Sequence, residues 1–336
     1  MENVNVTACV EPFFLNSELC KSVPEAFAKM VSEYSEMGVE FTDSMDKLDK
    51  FEKKTICLVA GRTADNPKLF KQCIEKGATC IYLEKPGAPS VKELEEMKAE
   101  ADSSGVKVYL GYNKNVTPYV TRALELSKNV DGSHVLFCHN NSYKRNELPE
   151  CFARNSEGML KNMVIHEMAL LVTFFGVTVE KIDKFEVNTN KLFSEKETIW
   201  KPNTVLPDPV YMSDFVRVAF KITTKDGNSV SVMADRCGGN VSFAVVKDAK
   251  GVEVEKFEVP DAATMIKVDK LCEADPEMMP YFFVQSDDYQ ELKDRVVSSI
   301  EKGVDAKGVA TIGIAIEALR LAEYGTEKIN AQLDAM

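Results

Sequence analysis

Short apolar runs and amphipathic helical patterns alternate through the first third of the chain, and this alternation constrains the fold more than any other feature. The β-branched runs are Val4–Val10, Thr55–Ala60, Thr79–Leu83 and Lys107–Gly111. The helical patterns between them are Glu25–Met37, Pro67–Lys76 and Val91–Ser104. The third helix is the best defined, because Ser90 and Glu93 form a capping-box pattern and Gly105 follows its end. Such alternation is typical of β-α-β units, so we predict a parallel sheet covered by helices.

From about residue 130 the pattern changes to longer strand-like segments. They are His134–Asn140, Lys184–Thr189, Phe215–Thr223, Ser229–Asp235, Val241–Lys247 and Val252–Val259. Helices are predicted at Met159–Phe175, ended by Gly176, and at Ala306–Tyr324, ended by Gly325. The 336 residues are 45% hydrophobic, which is enough for two cores. We therefore predict an α/β domain over residues 1–118 and, over residues 119–336, an α+β domain with a mostly antiparallel open sheet.

Charge and cysteine content exclude several classes of protein. The 53 acidic residues outnumber the 41 basic ones, and the net charge of −12 disfavours binding to a phosphate backbone. The nine cysteines are never spaced C-x-x-C, so no disulfide framework or zinc site is predicted. His134 and His139 face opposite sides of one predicted strand and cannot bind a metal together. No apolar stretch is long enough for a membrane span and no signal peptide is visible, so we expect a cytoplasmic protein without nucleic-acid, membrane or metal partners.

The first candidate site lies at the end of a predicted buried strand. Glu84, Lys85 and Pro86 directly follow the run Thr79–Leu83. Ligands of parallel α/β sheets bind at the carboxyl ends of strands, which is where Glu84 and Lys85 are placed. The same two residues are also compatible with a solvated ion pair that enters a turn. In a site, Lys85 could donate a proton or polarise a carbonyl group if burial lowers its pKa.

The second candidate site lies on the predicted helix over residues 159–175. Asn162, His166 and Thr173 share one face of this otherwise apolar helix. Polar groups on a buried helix need partners. His166 is therefore either a core histidine bonded to Asn162 or to a main-chain carbonyl, or an acid/base group.

These segments resemble, in order and spacing, the hallmark sequences of the Gfo/Idh/MocA oxidoreductase family. The matching segments are Gly77, Glu84-Lys85-Pro86, Gly111-Tyr112-Asn113-Lys114-Asn115 and the stretch from Glu157 to His166, which is similar to the family's D-x-x-x-H helix. The resemblance covers residues 4–176 and, more weakly, residues 305–325. It implies a Rossmann-like nucleotide-binding domain, an α+β domain, and nicotinamide-dependent hydride transfer on a sugar, cyclitol or related hydroxy or carbonyl compound.

The resemblance also implies roles for individual residues. Lys85 would lie beside the nicotinamide and the substrate, and His166 would assist proton transfer. Asn162 stands where the family usually has aspartate, and its amide can orient a ligand but cannot take a proton. The residues expected to contact the substrate, together with Asn162, are Tyr112, Asn113 and Lys114.

The cofactor site is where the sequence departs most strongly from the family. It contains no G-x-G-x-x-G loop, whose N–H groups hold the pyrophosphate in family members. The run Val4–Val10 resembles the family's second strand. The family's first strand-loop-helix unit therefore has no counterpart in this sequence. NAD or NADP is therefore expected from the resemblance alone. Arg62 could bind a phosphate or a carboxylate, but it is equally compatible with a plain surface position. The expected cofactor contacts are Glu11, which would bind the ribose, and Gly61, Arg62, Thr63, Glu84 and Lys85.

Three functions remain open. The leading one is an NAD(P)-dependent oxidoreductase that acts on a small polyol, sugar or related metabolite. The first alternative is a non-redox lyase or isomerase that uses Lys85 and His166 without nicotinamide. The second is a catalytically silent binding or partner subunit, which the missing glycine loop and Asn162 favour. A free face on the predicted open sheet further predicts a homo-oligomer, a dimer or a tetramer.

Overall fold

The computed structural model describes residues 4–201 and 210–335, and strands and helices alternate in its N-terminal part as predicted. These elements are β1 (Ala8–Val10), α1 (Glu25–Glu36), β2 (Glu40–Thr42), β3 (Ile56–Val59), α2 (Asn66–Lys76), β4 (Cys80–Leu83), α3 (Val91–Ser104) and β5 (Lys107–Leu110). At the start of α3, Ser90 Oγ accepts a hydrogen bond from the N–H of Glu93. Gly105 follows the helix with a φ of +68°. The capping pattern therefore gave both helix ends correctly.

The parallel strands form two separate sheets within the described residues. β1 pairs with β2, whereas β3, β4 and β5 pair with one another in that order. The strand predicted over Val4–Val10 is wrong in its first half, because only Ala8–Val10 pairs with the equally short β2. None of the residues of α1 is buried. β1, α1 and β2 thus form a thin layer that contributes only partly buried side chains to the main core.

The remaining elements form an α+β unit. They are α4 (Pro118–Lys128), β6 (His134–Asn140), α5 (Leu148–Arg154), α6 (Met159–Asn162), α7 (Ile165–Phe175), β7 (Ile182–Val187), β8 (Glu195–Lys201), β9 (Val210–Thr224), β10 (Ser229–Asp235), β11 (Ser242–Lys247), β12 (Glu253–Val259), α8 (Ala262–Ala274), α9 (Pro280–Lys302), β13 (Ala310–Thr311) and α10 (Ile312–Asp334). Their large sheet has the order β12-β11-β6-β10-β9-β7, with β8 paired to β9. Among its described strands only β6 and β10 run parallel, so the predicted mostly antiparallel sheet is confirmed.

Two predicted helices differ from the structure. The helix predicted over residues 159–175 is broken after Asn162, where the N–H of Val164 bonds to a carbonyl five residues back. The helix predicted to end before Gly325 continues through it to the end of α10. Gly325 is buried, and a Cβ atom there would lie 3.0 Å from Leu160 Cδ2. Glycine therefore allows α10 to pack closely on α6 instead of ending the helix.

The C-terminal segment returns to the sheet of the N-terminal part. β13 pairs antiparallel with β5. On α9, Leu292 and Val296 pack in one cluster with Tyr82 and Tyr109 of the parallel strands. α10 lies against α3 and α7. This arrangement fixes the carboxyl ends of β4 and β5 next to α6 and α7, which is where the candidate site lies.

Candidate functional site

The two sequence motifs meet through one hydrogen bond. Lys85 Nζ donates to the main-chain carbonyl oxygen of Asn162 over 3.0 Å. The N–H of Glu84 bonds to the carbonyl of Val59, which holds the end of β4 to β3. Burial lowers the pKa of Lys85, although the carboxylates of Glu84 and Glu157 oppose this shift. A lysine in this setting can give up its proton more readily than one on the surface.

Glu84 lies under the backbone of the next strand. A Cβ atom on Gly111 would come 2.9 Å from the hydroxyl of Tyr82 and 3.0 Å from Glu84 Oε1, so a glycine is required for this approach. Burial raises the pKa of Glu84, and the ammonium group of Lys85 opposes it. Glu84 and Lys85 are thus half-buried site residues and not a solvated pair.

A buried carboxylate, Glu167, lies at the centre of the polar groups. Its side chain is 0% exposed, and Oε1 lies 2.6 Å from Lys114 Nζ. Its Oε2 lies 3.1 Å from His139 Nδ1. Lys114 Nζ also donates to Ser242 Oγ over 3.1 Å. Burial alone would raise the pKa of Glu167, but Lys114 and His139 hold it well below its usual range.

His166 is sealed inside this group. It is 8% exposed, and its Nδ1 has no hydrogen-bond partner in the part of the chain that the structure describes. Its ring lies edge-on to that of Tyr112, with 5.9 Å between centroids, and 6.3 Å from the ring of His139. Burial lowers the pKa of His166 well below its usual value, and the charges of Lys85 and Lys114 add to this effect. His166 is therefore neutral at neutral pH.

A polar cleft opens beside Glu167, and Lys114 and His139 lie in its wall. The side-chain amides that line it are Asn113, Asn140, Asn141, Asn240 and Gln285, and the hydroxyls are Thr117, Tyr119, Tyr281 and Ser242. The cleft wall also contains the carboxyl group of Asp288 on α9. Burial, followed by the nearby charge of Asp287, raises the pKa of Asp288 to about 7. The apolar side chains of Val259, Pro260 and Val284 complete the wall. Amides and hydroxyls donate and accept hydrogen bonds, so the cleft can bind polar groups of a small ligand.

The structure brings only some of the predicted site residues together. Lys85, Asn162 and His166 lie around Glu167 and Lys114, and Asn113 and Lys114 line the cleft. Tyr112 is fully buried behind His166 and does not reach the cleft surface. The side chain of Asn162 turns away, since its Nδ2 donates to Glu157 Oε1 over 2.7 Å.

Of the six expected cofactor contacts, Glu84 and Lys85 belong to this site, and the other four lie farther out. Gly61 and Arg62 are exposed and Thr63 is half-buried on the loop after β3. A Cβ atom on Gly61 would come 2.7 Å from Leu69 Cδ1, so this glycine lets the loop pass close to α2. Glu11 Oε1 accepts hydrogen bonds from the N–H groups of Phe13 and Phe14, at 2.9 and 3.3 Å, and so closes its own turn.

Two residues of the site, Glu167 and His139, were missed by sequence reasoning. For His139, the sequence pattern gives only its position on the strand, opposite to His134. As predicted, the two rings lie on opposite faces of β6: the ring of His134 bonds to Ser229 and Ser231, and that of His139 bonds to Glu167. The available signal was Glu167 itself, because a carboxylate inside an apolar helix needs a charged or donating partner.

The residues present fit one end of a dinucleotide better than the other. Glu84, Lys85, Arg62 and Thr63 follow the carboxyl ends of β3 and β4, where they could hold a nicotinamide. For the pyrophosphate, the described residues after β1 form the turn closed by Glu11 and contain no glycine loop that leads into a helix N-terminus. No cluster of three or more His, Cys, Asp or Glu side chains in the described ranges could hold a metal ion. No helix there is long and apolar enough to cross a membrane.

Within the described residues, the fold combines a parallel Rossmann-like sheet with a mostly antiparallel sheet, and the cleft lined by Lys114 and His139 lies beside Glu167. Residues 16–112 match the model of the oxidoreductase family with the NAD-binding Rossmann fold, GFO_IDH_MocA. Over these residues, which include Glu84-Lys85-Pro86, the match confirms the predicted resemblance to the Gfo/Idh/MocA family.

Solved structures share the fold over nearly the whole chain. A candidate myo-inositol dehydrogenase from Sinorhizobium meliloti is 14% identical with a TM-score of 0.67, covering 98% of this chain and 90% of its own. The myo-inositol 2-dehydrogenase from Lactobacillus plantarum is 15% identical with a TM-score of 0.63, covering 98% and 91%. A super-repressor mutant of Gal80p from Saccharomyces cerevisiae is 15% identical with a TM-score of 0.61, covering 97% and 88%. At these identities the likeness shows the fold alone, and no curated protein matches the chain.

Proposed function

We propose that this protein is a nicotinamide-dependent oxidoreductase that acts on a small polyol, sugar or related hydroxy or carbonyl metabolite. The observation that carries the proposal is the 3.0 Å hydrogen bond from Lys85 Nζ to the carbonyl of Asn162. It joins the Glu-Lys-Pro motif to the segment that contains His166, as a shared site requires. The family match, an NAD-binding oxidoreductase family, supports the same activity.

In this proposal the substrate occupies the polar cleft. The amides of Asn113 and Asn141 and the hydroxyl of Ser242 would bind its hydroxyl groups. Lys85, whose pKa burial lowers, would hold or move a proton at the reacting oxygen. His166, which is buried next to Lys85 and Lys114 and is not part of the cleft wall, would assist that transfer from behind the site.

A nicotinamide cofactor, NAD or NADP, would supply the hydride acceptor or donor. Arg62, Thr63, Glu84 and Lys85 would hold its nicotinamide end, and Glu11 would bind the ribose if its turn opens. The residues described around β1 offer no amide cradle to the pyrophosphate, so we assign no reaction step to the cofactor.

A direct test is a screen for NAD- and NADP-dependent oxidation of inositols and sugars, in which the reaction is monitored through the absorbance of the reduced nicotinamide. Oxidation of at least one such compound, with kcat reduced by about 10²–10⁴ in Lys85→Ala, supports the proposal. The control is Lys92→Ala, because the Lys92 side chain on α3 is 83% exposed. Activity that is equal in the two variants would contradict the role of Lys85.

A binding protein without catalysis is the second candidate. The lack of main-chain amides that could hold a pyrophosphate among the residues described around β1 favours this candidate. The fold is also shared with Gal80p from Kluyveromyces lactis, a transcriptional regulator. Such a protein would bind a polyhydroxylated ligand in the cleft and turn over none of the tested substrates.

A further inference from the structure

We propose that His139, oriented by Glu167, is a further proton acceptor of this site, in addition to Lys85, and that it faces the cleft. This inference rests on the proposed function for its substrate, a ligand with hydroxyl groups, but its geometry belongs to the protein alone. Glu167 is the positioning residue, since it acts through His139 and is itself fully buried.

The hydrogen bond to Glu167 selects one tautomer of His139. An ionised carboxylate only accepts hydrogen bonds, so the 3.1 Å contact from Oε2 requires the proton of the neutral ring to sit on Nδ1. Nε2 then carries the lone pair. Within the described residues the side-chain hydrogen bond of His139 is the one that Nδ1 forms with Glu167, and His139 lines the cleft. A ligand hydroxyl in the cleft would thus meet a hydrogen-bond acceptor that is already oriented.

The surrounding charges keep this acceptor neutral at rest. Burial lowers the pKa of His139, the charges of Lys114 and Lys85 lower it further, and Glu167 opposes them. Of the other titratable groups, His166 on α7 lies edge-on to the ring of His139, and Tyr119 on α4 and Asp288 on α9 line the same cleft. Glu167 stays ionised because Lys114 Nζ lies 2.6 Å from its other oxygen. A neutral imidazole next to a fixed carboxylate is ready to take up a proton.

The proposed step is a proton transfer. The O–H bond of the ligand hydroxyl breaks, its proton forms a bond to Nε2, and the ring becomes imidazolium. The new positive charge lies against Glu167, and the ligand alkoxide remains near the ammonium group of Lys114, which lines the same cleft. Nothing else is gained or lost in this step.

His166 cannot serve the cleft in the same way. Its Nδ1 is buried without a partner in the described part of the chain, and the ring is absent from the cleft wall. The two histidines are therefore distinguishable: His139 contacts a bound ligand, whereas His166 supports the site from behind.

Long-range ¹H–¹⁵N NMR on the whole, cofactor-free chain tests the geometry without any substrate. The sequence has three histidines, so His134→Gln and His166→Gln assign the remaining ring signals to His139. We expect the tautomer with the proton on Nδ1, and a mixture of tautomers in Glu167→Gln, whose amide can also donate. A wild-type ring with its proton on Nε2, or one unchanged by Glu167→Gln, would overturn the inference.

Kinetics separate this inference from the proposed function. With a substrate in hand, His139→Asn should lower kcat by about 10²–10⁴, change KM little and remove the acidic limb of the pH profile. His134→Gln should change none of these. If the NMR result holds but no redox substrate is found, the oriented histidine stands and the oxidoreductase proposal fails. A redox substrate whose kcat is unaffected by His139→Asn would refute the proton-acceptor role alone.

Discussion

Lys85 and Asn162, 77 positions apart in the sequence, are joined by a hydrogen bond from Nζ to a main-chain carbonyl oxygen. The bond does not depend on the side chain of residue 162. The position where the family usually has aspartate can therefore hold asparagine without loss of the lysine anchor, and the two residues can be varied separately.

Replacement of Asn162 by aspartate tests whether the site is catalytic. Asn162→Asp converts the 2.7 Å hydrogen bond with Glu157 into a contact between two carboxylates, which should cost about 1 kcal/mol in urea unfolding. In an enzyme, the new carboxylate near Lys85 should also change the pH profile of kcat. Glu157→Gln in the same chain should restore the stability and serves as the control. An unchanged pH profile would show that the side chain at position 162 does not interact with the reacting groups, whereas no measurable turnover by the wild type or the variant would favour a binding protein.

The buried ion pair should dominate the stability of the site. Glu167→Ala leaves Lys114 buried without its counter-charge, and we expect a loss of about 3–5 kcal/mol in the free energy of unfolding. The double variant Lys114→Met, Glu167→Leu removes both charges and should recover most of it. A single variant that loses less than about 1 kcal/mol would show that the pair is hydrated and not buried.

Asp288 should make stability depend on pH. Its pKa of about 7 lies above the value of about 4 in an unfolded chain. Its contribution is therefore complete below pH about 4 and is lost as the pH rises through about 7. Asp288→Asn, which stays neutral, should lose less free energy of unfolding over this interval than the wild type, by about 1–3 kcal/mol. Asp305→Asn is the control, because the Asp305 side chain is 94% exposed. Equal pH curves for wild type and Asp288→Asn would mean that Asp288 titrates normally.

The large sheet predicts self-association. One face of β10 is buried in the core to which α7 and α10 contribute, as Val230 and Val232 show. The residues between them, Ser231 and Met233, lie on the opposite face and are only half-buried. We expect light scattering after gel filtration to give a dimer or a tetramer at micromolar concentration. A single species of 37.4 kDa would contradict this expectation.

Periodicity and capping residues were sufficient for much of the fold. Ser90 and Gly105 gave both ends of α3, and the strand predicted over His134–Asn140 has its observed limits. Gly325 shows where local rules fail: it resembles a helix end, but tertiary packing against Leu160 keeps it inside α10. Such packing is not encoded within the local window that predicts helix ends.

The site was only partly visible in the sequence, for a related reason. Glu84, Lys85 and His166 belong to local motifs and could be found. Glu167 and His139 come from separate elements, and their partnership depends on how α7 lies against β6. Sequence spacing carries no information about that contact, so only the unpaired charge of Glu167 in an apolar helix could have indicated it.

The most direct test of the central claim is calorimetric binding of NADH and NADPH to the whole chain, to Lys85→Ala and to Lys92→Ala. We predict micromolar binding of one cofactor to the wild type and to Lys92→Ala, and binding at least about tenfold weaker to Lys85→Ala, which is 1.4 kcal/mol or more. No heat of binding at millimolar cofactor, or equal affinities for the two variants, would contradict the account.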